Sequence, residues 1–398
     1  MNVGRHSIAR RRVYSIVGAL AASVSLFGGV ATAQRATNQK PLWQIDAGKL
    51  GLPQSRISTE WPKISLSQGT FGFQNNDTLL ISWITPDEPL PHLPKRKRFS
   101  RLPVVPAHLH ILLVDAKAGA RLTERELPVP SAPTELFISH SGNLVVRADN
   151  SVKLYTPDFV FLNQAEFPTP VNFADLNSGS NLEISPDGRR IILCSGQGLS
   201  SETAIFYADD LKLLGSLRDG QRCPRQLGDD SLLFVSRTGN SWQSTIQKVG
   251  EEPHGPNLAV VNAFGLVHLL NGDAFIVIAG NGMVVRTIDG KTLMTDSLPK
   301  RHQFWPAADA RNSTRFAVEI TRTRGLTIPA LDMYAFQSAD QIAVYSLREK
   351  RRIFAIKVRG GSPWPIQWRI PVNECALSPD GSLLAILTND SVKVYKLP

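Results

Sequence analysis

Twice along this chain an apolar residue leads into a Ser-Pro-Asp-Gly turn and out into an apolar run. The copies are Ile184-Ser185-Pro186-Asp187-Gly188-Arg189-Arg190-Ile191-Ile192-Leu193 and Leu377-Ser378-Pro379-Asp380-Gly381-Ser382-Leu383-Leu384-Ala385-Ile386. Proline at the second turn position presets φ near about −65°, aspartate can accept bonds from its own backbone, and glycine relaxes the exit. Apolar runs on either side of such a turn read as a β-hairpin. Nearly half the chain separates the copies, so the hairpin is one sample of a repeating unit.

Weaker versions occupy the space between. They are Gln74-Asn75-Asn76-Asp77 before Leu79, Ser139-His140-Ser141-Gly142 before Leu144, and Gly228-Asp229-Asp230 before Leu232. Asn271-Gly272-Asp273 before Phe275 and Ala310-Arg311-Asn312-Ser313 before Phe316 bring the series to seven. A third strand follows at a similar offset. Asn150-Ser151-Val152-Lys153-Leu154-Tyr155 matches Asp390-Ser391-Val392-Lys393-Val394-Tyr395, with looser forms ending at Tyr207 and Tyr345. Leu213 to Leu217 and Ile353 to Ile356 read as fourth strands. Four strands in about 40–45 residues is the pattern of a propeller blade. Amphipathic helical stretches are almost absent, which removes most α/β architectures.

Through Ile184 to Leu193 with Phe206-Tyr207, and Leu377 to Ile386 with Val394-Tyr395, the chain resembles the WD40-like and YVTN-type bacterial β-propellers. The Trp-Asp and Gly-His pairs of strict WD40 repeats are missing. The resemblance implies a propeller over residues 41–398 that serves as an interaction platform. The expected fold is all-β, a seven-bladed β-propeller of four-stranded blades, with six or eight blades as alternatives. Blades are expected near 66–130, 131–170, 171–221, 222–256, 257–303, 304–361 and 362–398. The last of these shows only three strands, and residues 41–47 (around Leu42-Trp43-Gln44-Ile45-Asp46) form a strand with no unit of their own. Pairing the two would complete the last blade and remove an exposed edge.

The first 33 residues hold Arg5, Arg10, Arg11 and Arg12, no acid, an apolar run from Val13 to about Val30, and Ala31-Thr32-Ala33 before Gln34. That is the form of a cleaved signal peptide, residues 1–33, ahead of a single domain at 34–398. The expected location is secreted or periplasmic. The alternative is an uncleaved membrane anchor. Without those four arginines the net charge falls from +10 to +6, too mild for a nucleic-acid binder. The three cysteines, Cys194, Cys223 and Cys375, fit no metal or redox spacing. Cys375 matches an apolar position and reads as a buried thiol, whereas Cys194 and Cys223 form a disulfide or stay free.

Two long steps locate an unusual surface, between Pro86 and Pro106 and between Thr321 and Asp340, each placed between second and third strands. The first holds Lys95, Arg96, Lys97, Arg98 and Arg101 among six prolines. Such a cluster attracts phosphate, sulfate or carboxylate groups, or it is a solvated, Pro-stiffened connector. The second adds Arg322 and Arg324. Trp61, Trp305, Trp364 and Trp368, with Arg301, His302 and Arg369, fall on links between blades and suit either structure or ligand contact. The expected function is an exported non-catalytic scaffold, monomeric, binding a protein or an anionic polymer (a glycan or lipid headgroup) without cofactor or metal. The alternative is a hydrolase or lyase with a channel-mouth site and Ca²⁺, toward which Glu374, Asp309 and Asn181 are the nearest candidates. His108 and His110 share a strand face with no acid at useful sequence spacing, so they read as a structural pair rather than metal ligands.

Overall fold

The two Ser-Pro-Asp-Gly turns close as their chemistry dictates. Asp187 Oδ1 accepts from Ser185 Oγ at 2.5 Å and from the Arg189 amide at 3.0 Å. Asp380 Oδ1 does the same with Ser378 Oγ at 2.6 Å and the Ser382 amide at 2.9 Å. Ser185 Oγ and Ser378 Oγ in turn accept from the amides of Arg190 and Leu383. Gly188 and Gly381 take φ values of +73° and +71°, where a side chain would be strained. Each turn is thus a closed network that delivers two antiparallel strands.

A computed structural model of the chain describes residues 39–52, 71–87, 106–130, 134–148, 150–167, 181–195, 202–217, 224, 226–238, 241–249, 257–262, 266–323, 337–361, 374–388 and 390–398. The expected signal segment, Trp61, Lys95, Arg96, Lys97, Arg98, Arg101, Cys223, Arg324, Trp364, Trp368 and Arg369 lie outside the described residues. The described strands form seven four-stranded antiparallel sheets. A strand apart, β1 (Trp43–Asp46), comes first. Blade one is β2 to β5 (Phe71–Phe73, Thr78–Pro86, Pro106–Asp115, Arg121–Pro130) and blade two β6 to β9 (Thr134–Ile138, Leu144–Ala148, Ser151–Tyr155, Phe161–Glu166). Blade three is β10 to β13 (Asn181–Ile184, Arg190–Ser195, Glu202–Tyr207, Leu213–Leu217). Blade four is β14 to β17 (Gln226–Leu227, Ser231–Thr238, Ser241–Lys248, Asn257–Asn262). Blade five is β18 to β21 (Leu266–Leu270, Ala274–Ala279, Gly282–Thr287, Thr292–Ser297) and blade six β22 to β25 (His302–Asp309, Arg315–Thr323, Gln337–Ser346, Arg351–Gly361). Blade seven is β26 to β28 (Glu374–Leu377, Leu383–Leu387, Ser391–Lys396) with β1 as its outer strand.

The fold is therefore the expected seven-bladed propeller, closed by the N-terminal strand. Trp43 faces Val394 and Asp46 faces Ser391 across the β1–β28 ladder. Trp43 also ties blade seven to blade one, donating from Nε1 to Ala116 O at 2.8 Å. Its ring lies where a Cβ on Gly119 would come within 2.9 Å, and Gly119 has φ +74°, so only glycine fits that turn. One boundary differs from the sequence expectation. The division at residue 256 cuts blade four short, because Asn257–Asn262 pairs with Ser241–Lys248 as its fourth strand. Leu258 to Val261 is an unbroken apolar run and so reads equally well as the opening strand of the next blade.

Among the described residues the buried apolar side chains form no single core but gather into seven clusters, one at each blade junction. Strand β3 shows how. Leu79 and Ile81 point into the seam with blade seven, while Leu80, between them, points into the seam with blade two. Both faces of an inner strand are buried, so it reads as a continuous apolar run.

Candidate functional site

Antiparallel pairing puts the first-to-second and third-to-fourth strand turns of every blade at one end, and the remaining connections at the other. At the turn end the seven first turns form a belt of hydrogen bonds that reaches every junction. Gln74 Nε2 donates to Gly142 O at 3.3 Å, the His140 amide to Gly188 O at 2.7 Å, and the Asp187 amide to Asp229 Oδ1 at 3.2 Å. The Gly272 amide donates to Asp229 Oδ2 at 2.9 Å, and Asn271 Nδ2 to Arg311 O at 2.8 Å. The Asn312 amide donates to Pro379 O at 2.8 Å, and the Asp380 amide to Asn76 Oδ1 at 3.1 Å, which returns the belt to blade one. In four of the five weak turns a polar side chain reaches the next blade, from Gln74, His140, Asp229 and Asn271, whereas Asn312 does so through its backbone amide.

Arg311, from the poorest of the seven turns, spans the ring instead. From blade six its guanidinium donates to Phe73 O at 2.7 Å and Gln74 O at 2.8 Å in blade one, and to Ser139 O in blade two. Burial pushes its pKa down to about 10, with Asp209 opposing. Arg311 lines two cavities and so marks the boundary between them. Beneath it a channel cavity of about 440 Å³ runs along the innermost strands, lined by Phe71, Phe73, Phe137, Ile184, Asp309 and Cys375 among others. Above it opens a depression of about 950 Å³ contributed by blades two to six.

That depression is acidic. Asp187, Asp209, Asp210, Asp229, Asp230 and Asp273 line it, with Arg189, Arg190, His140 and Tyr207. Burial, reinforced by Asp187 and Asp273, raises Asp229 to about 6 against the bonds it accepts from the Gly272 and Asp187 amides. Arg190 donates to Asp230 and to Asp229 O. Asp209 accepts from Ser139 and from Ser141 Oγ at 2.5 Å. Next to the depression, blades two and three keep large apolar side chains in solvent. Val160 is 60% exposed, Phe161 54%, Leu162 47%, Tyr207 41% and Leu213 55%.

The residues expected at the opposite end fare differently from one another. Arg322 is not in a loop: β23 and β24 extend through Thr323 and from Gln337, which places Arg322, exposed, on a strand between His302 and Ser338. Trp305 is 5% exposed and donates to Thr321 Oγ1, so its role is structural. His302 lies 3.7 Å from Asp340. His108 and His110 do gain acids, which strand pairing supplies where sequence spacing does not. Asp87 stands 3.2 Å from His108, and Glu126 lies 3.8 Å from His108 and 3.2 Å from His110, which stacks on Trp83. Among the described residues no three His, Cys, Asp or Glu side chains group as a metal site. Near the channel, Glu135 pairs with Arg147 at 3.1 Å and Asp309 with His268 at 3.3 Å. Glu374 is exposed, and the Asn181 side chain lies outside the description. Cys375 is a buried free thiol whose pKa burial raises, with nearby Glu319, Asp309 and Glu374 adding to it; Cys194 is disulfide-bonded.

The chain matches no protein-family model and no curated protein. Among solved structures it is similar to the Pan2 WD40 domain of Neurospora crassa, with 11% identity, 90% of this chain and 95% of that one covered, and a TM-score of 0.49. BamB from Moraxella catarrhalis aligns at 12% identity over 83% of this chain and 85% of that one, with a TM-score of 0.39. Hsv2 of Kluyveromyces lactis aligns at 11% identity over 81% and 89%, with a TM-score of 0.43. The fold assignment stands on the strand pairing of this chain itself.

Proposed function

We propose that the chain is an exported, non-catalytic propeller scaffold that binds a protein partner. The observation that carries this reading is the concentration of exposed large apolar side chains on blades two and three, where five of the seven among the described residues lie, the others being Leu42 and Leu122. Contiguous exposed apolar surface marks contact sites. The pairing of Glu135 with Arg147 and of Asp309 with His268 favours binding over chemistry, because these groups already serve the scaffold. The disulfide-bonded Cys194 supports export, since disulfides persist in oxidising compartments. Lys95, Arg96, Lys97, Arg98 and Arg101, with Arg322, Arg324, Trp364 and Trp368, are our proposed contact for an anionic polymer.

The scaffold reading is tested by placing a photo-crosslinking amino acid, in the native host, at one exposed position per blade: Leu122, Leu162, Leu213, Lys248, Arg286, Arg351 and Lys396. Discrete protein adducts at a confined set of positions are expected. A scan in which no position gives an adduct overturns the scaffold. Export has its own readout: denatured, unreduced protein purified from that host should titrate one thiol, Cys375, and three thiols would refute an oxidising compartment.

A further inference from the structure

We infer that the rim joining blades two and three docks an extended, cationic segment of a partner protein, held by apolar anchors. This rests on the scaffold reading and adds the place and chemistry of contact. The apolar residues form one border. Asn163, next to Leu162, donates from Nδ2 to Asp210 O at 2.7 Å, which ties blade two's outer strand to blade three's last turn. That turn runs from Tyr207 to Leu213, and the Tyr207 amide closes it by donating to Lys212 O. Tyr207 in turn lines the acidic depression, so apolar rim and acidic floor meet at one side chain.

Charge selects the occupant. The depression carries six aspartates in a chain whose net charge is +10. Its arginines are engaged: Arg190 on Asp230, Arg189 at 3.7 Å from Asp187, and Arg311 on backbone carbonyls across the ring. Asp210 and Asp273 are exposed and form no ion pair among the described residues. The backbone argues for an extended segment. β9 is the outermost strand of its sheet and bears Phe161 and Leu162, an edge at which a further strand can pair, although its Gln164 amide already bonds Asn163 Oδ1 at 2.8 Å. A segment rising about 3.3 Å per residue would rest apolar side chains on Leu162, Leu213 and Tyr207 and turn its cations toward Asp210 and Asp273.

The test uses three labelled synthetic peptides of about twelve residues: alternating Lys and Phe, alternating Glu and Phe, and alternating Lys and Ser. Binding to the purified chain is read by fluorescence anisotropy at low and high salt. Only the Lys-Phe peptide should bind, and it should weaken with salt. Leu162→Ser with Leu213→Ser, and separately Asp210→Asn with Asp273→Asn, should each weaken it by about tenfold or more. All four sites are exposed, and circular dichroism checks that each variant stays folded. Equal binding of the Glu-Phe peptide, binding indifferent to both variant pairs, or no binding at all would overturn the inference. So would a dimer of the parent that Leu162→Ser with Leu213→Ser abolishes, since the rim would then meet a second copy. Adducts elsewhere in the photo-crosslinking scan, with none at Leu162 or Leu213, would sink this surface and leave the scaffold standing.

Discussion

Replacing Arg311 with alanine should destabilise the propeller more than any other single truncation in the turn belt. The guanidinium makes three bonds to backbone carbonyls of blades one and two. Bonds from a charged donor contribute about 1.5–3 kcal/mol each, so the gross loss is about 5–9 kcal/mol if the carbonyls stay dry. Burying the guanidinium offsets part of this. Its pKa falls from the ordinary guanidinium range to about 10, which corresponds to about 3 kcal/mol of desolvation already present in the parent. The depression above is open to solvent, so freed carbonyls regain water and the net cost settles at about 2–4 kcal/mol. Arg311→Met keeps the apolar stem but loses every bond, and should cost nearly as much. Arg311→Lys, a point charge without the planar fork, should fall between. Urea unfolding followed by tryptophan fluorescence measures all three by linear extrapolation. If Arg311→Ala and Arg311→Met both lie within about 0.5 kcal/mol of the parent, the contact across the ring is idle and the argument fails.

Three further outcomes follow from the same physics. Deleting residues 41–46 leaves β28 as an open edge and should cut soluble yield and speed amide exchange across Ser391–Lys396; an unchanged exchange pattern would disprove closure by β1. Asp229 binds its proton more tightly in the folded state, at about 6, than in the unfolded chain, near 3.8, so the folded state holds the extra proton between those values. The parent should therefore gain stability relative to Asp229→Asn as pH falls from 7 toward 4, and a difference flat in pH refutes the burial argument. Replacing Lys95, Arg96, Lys97, Arg98 and Arg101 with serine should remove retention on heparin at low salt, where the Debye length is about 10 Å, and leave the melting temperature unchanged; co-elution with the parent removes that segment as a binding surface.

Much of the architecture was legible because its causes are local. A Ser-Pro-Asp-Gly turn closes through atoms within five residues, as Ser185 with Arg190 shows, so it announces a hairpin wherever it occurs. Inner strands buried on both faces read as unbroken apolar runs, and Leu79-Leu80-Ile81 marked β3 without any tertiary knowledge. The partner of β1 was also readable, since one orphan strand and one three-stranded unit have only each other. Strand ends were less so. β23 and β24 run past the expected insertion because their added pairs, such as Arg322 with Ser338, are polar and leave no period to read.

The sequence alone determined the repeat and pointed to its closure, because these depend on turn chemistry and apolar period over a few residues; the seven paired sheets settled the count among six, seven and eight. The tertiary structure alone decided what the seven turns become once they stand in a ring. His140, Asp187, Asp229, Asn271 and Asn312 look like unrelated turn residues, and each has a donor or acceptor in the next blade, from 40 residues away for Asn271 to well beyond that for Asn312, which reaches Pro379. Arg311 finds its partners in blades one and two, 237 and 172 residues distant for Gln74 and Ser139. The acidic depression has the same origin. Six aspartates dispersed over three blades carry no motif, and only ring closure brings them to one mouth, where burial lifts Asp229 to about 6. Hydrogen-bond partners and dielectric surroundings are properties of positions in space, and a propeller sets those positions through contacts that no short stretch of chain contains.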